Sequence, residues 1–399
     1  AGSLTVTGDS SFTVDNGQSI SVDDAANEFT GAVTFAASAG QLNNVTVVDT
    51  TALELQDGLN VGGALDVTAA GISQAAGASG VAVTGSADFT VGDGESIILG
   101  NTNNTLAGAV TFTASTGLLG DVTVADTTAL ELQDDLDVGG SLVVTAAGIS
   151  QAAGLNGIAV TGTSDFTATG DTAIDLTNSA NDFTGSVLLS TTGTTGDASV
   201  TDANEIDLGT STVGNNLVVE AVTAGDITNT GGSLTVTGDS SFTVDDGRSI
   251  SVDDTANAFT GTVEFAVSGG GVAQLNNVTI VDTTALELQD DLDVGGALNV
   301  TAAGIAQAAG ANGISVDGSS DFTVGNGQSI TLDNTNNTLT GAVTFAASSG
   351  GQINDLTVVD STALQLQDGL DVGGALNVTA AGITQAAGAN GEVFVKMRE

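Results

Sequence analysis

Carboxylates are the side chains of this sequence that could do chemistry. It holds 48 Asp and Glu against three Lys and Arg, with no His and no Cys, for a net charge of −45. Asp23-Asp24, Asp134-Asp135 and Asp290-Asp291 are adjacent pairs of the type that glycoside hydrolysis draws on, with one carboxyl as acid and one as base or nucleophile. Because such pairs recur along the chain, they read as a solvated face rather than one active site. Asp15-Asn16-Gly17, Gly92-Asp93-Gly94 and Asp245-Asp246-Gly247 place hard oxygen ligands at turns, which suits Ca2+. The Gly-Gly-x-Gly-x-Asp nonapeptide and the twelve-residue loop closed by Glu are both missing. The expectation is therefore no required cofactor, with Ca2+ or other cations held weakly at Asp-rich turns.

The missing residue types exclude more than the present ones suggest. Without His or Cys there is no imidazole base, no thiol nucleophile, no disulfide and no thiolate metal site. A polysaccharide lyase needs a cationic base, and the only cations are Arg248, Lys396 and Arg398. Three cations cannot neutralise a phosphate backbone, so nucleic acid is not an expected partner. The chain is expected not to be an enzyme.

The elements that carry these carboxylates are short strands. Leu4-Thr5-Val6, Phe12-Thr13-Val14, Ile20-Ser21-Val22 and Leu53-Glu54-Leu55 alternate apolar with polar residues, one face in and one out. Gly, Asn and Asp punctuate them, and 56 Gly with no Pro leave every backbone N–H free to join a ladder. Hydrophobic residues are 41% of the chain and mean hydropathy is +0.27, enough apolar surface for a core despite the charge. The 13 Phe fall about one per corresponding strand, as an inward stack would. No apolar run reaches the roughly 18 residues of a membrane helix, so no transmembrane segment is expected.

The strands recur in register. The pattern of Leu4 to Gly8 returns at 81, 158, 234 and 314, which divides the chain into units 4–80, 81–157, 158–233, 234–313 and 314–392, with a terminal strand at 393–399. Residues 4–31 and 234–261 differ at only four places, whereas the third unit is the most divergent. No linker separates the units. The spacing predicts an all-β chain: a single continuous right-handed parallel β-solenoid (β-helix) of tandem repeats of about 77 residues, each coil taking roughly 20 residues.

Asn181-Asp182-Phe183-Thr184-Gly185-Ser186-Val187, Ile206 to Val213 and Gly225-Asp226-Ile227-Thr228 resemble the repeats of filamentous-haemagglutinin-like bacterial exoproteins. So do Phe29-Thr30-Gly31-Ala32-Val33 and Leu65 to Gln74. The resemblance implies a secreted or cell-surface protein, exported by a two-partner or autotransporter route. It implies a structural extracellular role, as the shaft of an adhesin or a subunit of a surface filament. A glycan-binding or glycan-cleaving extracellular β-helix is the alternative, and a host or cell-surface glycan or protein is a candidate partner. The sequence opens on Ala1 without an initiator Met, so a mature product or a fragment is expected. Val393, Phe394 and Val395, followed by Lys396 and Arg398, alternate like a strand and carry two of the three cations. They are the candidate contact for head-to-tail self-assembly by strand addition onto an acidic neighbour.

Overall fold

The computed structural model describes residues 2–268, 273–367 and 369–386. The chain forms two compact units, 1–202 and 203–399. Each is a parallel β-solenoid, and every strand pairing described within them is parallel.

In the first unit, two ladders of nine strands enclose the core. The first ladder climbs from Ser10–Val14 through Val33–Ala37, Leu53–Leu55 and Ile72–Gln74 to Val187–Thr191. The second climbs from Ile20–Val22 through Val45–Val48 and Leu65–Thr68 to Ala198–Asp202. Short strands such as Asn60–Val61, Ala82–Val83 and Thr105–Leu106 pair at the corners. The second unit repeats the plan, with ladders running from Ile206–Asp207 to Gly382–Gln385 and from Leu217–Ala221 to Leu376–Thr379. Paired residues lie from 19 apart, as in Leu53↔Ile72, to 28 apart, as in Ile250↔Val278. The larger steps accommodate longer corner loops without disturbing the rungs.

The alternation read from sequence is what fills the core. Val45, Val47, Leu65, Val67, Phe89 and Val91 are at most 1% exposed, and the residues between them face outward. Phenylalanines stack on successive rungs, with ring centroids 5.6 Å apart for Phe12 and Phe35 and 5.9 Å for Phe89 and Phe112. At one corner Gly63, Gly85 and Gly108 sit directly over one another, and a Cβ on Gly85 would strike the Gly63 carbonyl. That close approach explains why glycine recurs after the Val-Thr strand.

The repeat and the coil are not commensurate. Ser10–Val14 and Ser164–Ala168 are equivalent strands two repeats apart, and seven rungs of the first ladder separate them. The intervening equivalent, Ala87–Val91, lies in the second ladder. One repeat therefore makes three and a half coils, and equivalent residues of successive repeats face opposite sides. The second unit behaves alike, with Ser240–Val244 in one ladder and Ser320–Val324 in the other.

Candidate functional site

The paired carboxylates hold the next coil's turn. Asp134 accepts backbone N–H groups from Leu155 at 3.1 Å, Asn156 at 3.3 Å and Gly157 at 2.8 Å, and the Asn178 amide at 3.4 Å. Asp290 accepts Asn312 N–H at 2.8 Å, Gly313 N–H at 2.6 Å and the Asn334 amide at 2.9 Å. Asp57 does the same with Ser79, Gly80 and Asn101. Donation by Gly157 and its neighbours holds the Asp134 carboxyl below its usual range, and donation by Asn312 and Gly313 does so for Asp290. The second member of each pair has a different task. Asp135 (φ 68°) and Asp291 (φ 73°) occupy left-handed turn positions, filled by Gly58 (φ 81°) in the first repeat. Asp tolerates that conformation better than most residues, so each of these two pairs marks a turn. Asp24 of the Asp23-Asp24 pair differs from both, accepting Ala26 N–H at 3.1 Å within its own turn.

The candidate cation turns also face protein donors. Asn16 accepts Gln41 N–H at 3.1 Å, Asp93 accepts Leu118 N–H at 3.2 Å, and Asp246 accepts Gln274 N–H at 2.9 Å. Asp15 takes the Ser38 hydroxyl at 3.3 Å, and Asp245 accepts Asp246 N–H at 3.0 Å. Among the described residues no group of three or more carboxylates is placed to hold a metal ion. Arg248 sits half-buried in the turn that follows, its N–H donating to the Asp245 carbonyl at 3.2 Å. Val393, Phe394, Val395, Lys396 and Arg398 lie outside the described residues.

The polar groups that sequence reasoning passed over lie inside. Asn27, Asn104, Asn181, Asn257 and Asn337 are each at most 1% exposed, and Asp49, Asp126, Asp202, Asp282 and Asp360 at most 5%. Asn104 accepts Val81 N–H at 2.8 Å and the Gln74 amide at 2.6 Å. It donates to the Leu99 carbonyl at 3.1 Å and to Gln74 Oε1 at 3.0 Å. One coil further on, Asp126 accepts Leu106 N–H at 3.1 Å and Thr128 N–H at 3.0 Å, with the Thr128 hydroxyl at 3.0 Å on its other oxygen. Burial pushes the Asp126 carboxyl up, against the opposing pull of these donors. The same set recurs as Gln307, Asn337 and Asp360, and with Asn229 in place of Gln as Asn229, Asn257 and Asp282. Each column satisfies backbone groups that a corner would otherwise bury unpaired. The sequence signal was the recurrence of one Asn per repeat among many exposed ones, which composition does not separate.

Four serines complete the recurrent pattern. The hydroxyls of Ser10, Ser164, Ser240 and Ser320 are buried at equivalent strand starts and have no hydrogen-bond partner. Alanine stands at the corresponding position 87.

A family model described as "Repeats of unknown function (DUF5649)" matches residues 1–36, 42–113, 119–190, 195–266 and 275–346. No curated protein and no solved structure matches the chain.

Proposed function

We propose that this chain, which belongs to the DUF5649 family of repeats, is a structural spacer of a secreted or cell-surface bacterial protein, the shaft of an adhesin or part of a surface filament. The observation that supports this reading most directly is the use of the carboxylates. Asp57, Asp134 and Asp290 each accept main-chain N–H groups of the adjoining coil, in the first, second and fourth repeats. Catalysis gathers unlike groups at one place, whereas a spacer repeats one set of contacts along its length. Three Lys and Arg in 399 residues leave trypsin-like proteases few sites.

Single-molecule pulling between the termini tests the reading. A repeat of about 77 residues releases about 250 Å of chain on unfolding, taking about 3.5 Å per extended residue less about 17 Å of folded height. Force peaks spaced by that length, or by fractions of it corresponding to whole coils, are expected. Featureless extension at low force would refute a mechanical role. Release of reducing ends from polysaccharide by the purified chain would favour the glycan-cleaving alternative.

A further inference from the structure

The two outer faces of the first unit differ, and the difference points to a partner. On the second ladder the outward positions carry Asp66 and Asp88 in one column and Glu131, Ser150 and Asp175 in a neighbouring one. On the first ladder five successive rungs present Ile98, Thr123, Val143, Asp165 and Leu188 in one column. Ile98 is 38% exposed, and Val143 and Leu188 are half-buried. Aliphatic residues thus alternate with polar ones, two rungs or about 9.6 Å apart, on a stretch holding a single carboxylate.

We propose that this column is a lateral docking face for a second copy of the same chain, related by a two-fold axis through Val143. The register is self-complementary about that residue. Reversed on itself, the column sets Val143 against Val143, Ile98 against Leu188, and the Thr123 hydroxyl against the Asp165 carboxylate, as an isologous contact requires. Like charge opposes the pairing of two copies, and opposes it least on this face. In a chain of net charge −45, two copies meet with least repulsion where acids are fewest. Asp165 is already poorly hydrated between Val143 and Leu188, and burial pushes its carboxyl up. A hydroxyl donor from the facing copy supplies the partner it lacks on its own face.

Five rungs by a five-residue strand cover about 20 by 17 Å, so the contact buries roughly 700 Å² in total, below the roughly 1,200 Å² of stable complexes. The association is therefore weak, and covalent trapping is the suitable readout. The chain has no cysteine, so single Cys variants report without background. Val143→Cys is treated with a short bis-maleimide in 1 M NaCl, where the Debye length is about 3 Å, beside Ser150→Cys on the opposite ladder. Circular dichroism verifies that each variant keeps its β structure. About tenfold more dimer from Val143→Cys than from Ser150→Cys is expected, corresponding to about 1.4 kcal/mol of preference. A mixture of Ile98→Cys and Leu188→Cys chains should crosslink as heterodimers more than as either homodimer, and adding Val143→Asp to both should abolish this. Equal yields from the two faces, no crosslinking at Val143, or Ile98 homodimers exceeding Ile98–Leu188 heterodimers would each overturn the proposal.

Discussion

Replacing Asn104 by alanine removes a buried amide from four hydrogen bonds at once. The Val81 N–H and the Leu99 carbonyl then lose their side-chain partner at a buried position. Leaving a buried backbone group unpaired costs about 1–3 kcal/mol each. Gln74 is half-buried and can rehydrate, so it adds little. The expected loss is about 3–4 kcal/mol, at the upper end of single-residue effects. Asn103→Ala is the internal control, because that neighbour is exposed and its loss should stay within about 0.5 kcal/mol. Solenoids open locally, so a global midpoint alone understates the effect. Native-state hydrogen exchange at the Val81 and Thr105 amides, read beside urea unfolding, gives the local value. Asn104→Asp keeps the shape but turns a donor into an acceptor against the Leu99 carbonyl, and should be no milder than Asn104→Ala. If Asn104→Ala loses less than about 1 kcal/mol, or no more than Asn103→Ala, the buried columns do not hold the corners together and the reasoning fails.

Four further substitutions test the other recurrent devices. Ser164→Ala and Ser320→Ala should each raise stability by about 0.5–2 kcal/mol, because each removes a buried hydroxyl without a partner, and a lower urea midpoint would contradict this. Asp135→Gly should stabilise by about 0.5–1 kcal/mol by relieving a left-handed Asp where the first repeat has Gly58, as thermal unfolding would show. Asp134→Asn should lower the melting temperature at pH 7. The folded pKa of Asp134 lies below its unfolded value, so the carboxylate's contribution is full above the unfolded value near 4 and fades as pH falls through the folded one. The gap between wild type and variant should therefore close on acidification, and a gap that widens would refute the assignment.

The sequence by itself determined the strands, the inward side chains and the period. Alternation such as Leu53-Glu54-Leu55 is a local property, and a strand with period-two patterning has one way to bury its apolar face. Parallel stacking was legible because the repeats follow one another without a linker, and short strands of one repeat cannot enclose a core alone. The phase of the coil was not legible. It depends on which residues 19 to 28 apart come into register, and small differences in corner length accumulate until Phe12 and Phe89 face opposite sides. The same limit hid the roles of the polar residues. Asn103 and Asn104 are chemically identical neighbours, and only the coil beneath, with Val81 N–H and Gln74 in reach of one and not the other, makes the second an internal strut. Asp134 and Asp135 read as a pair of acids, and only the turn of the next coil separates them into an acceptor of three N–H groups and a left-handed hinge.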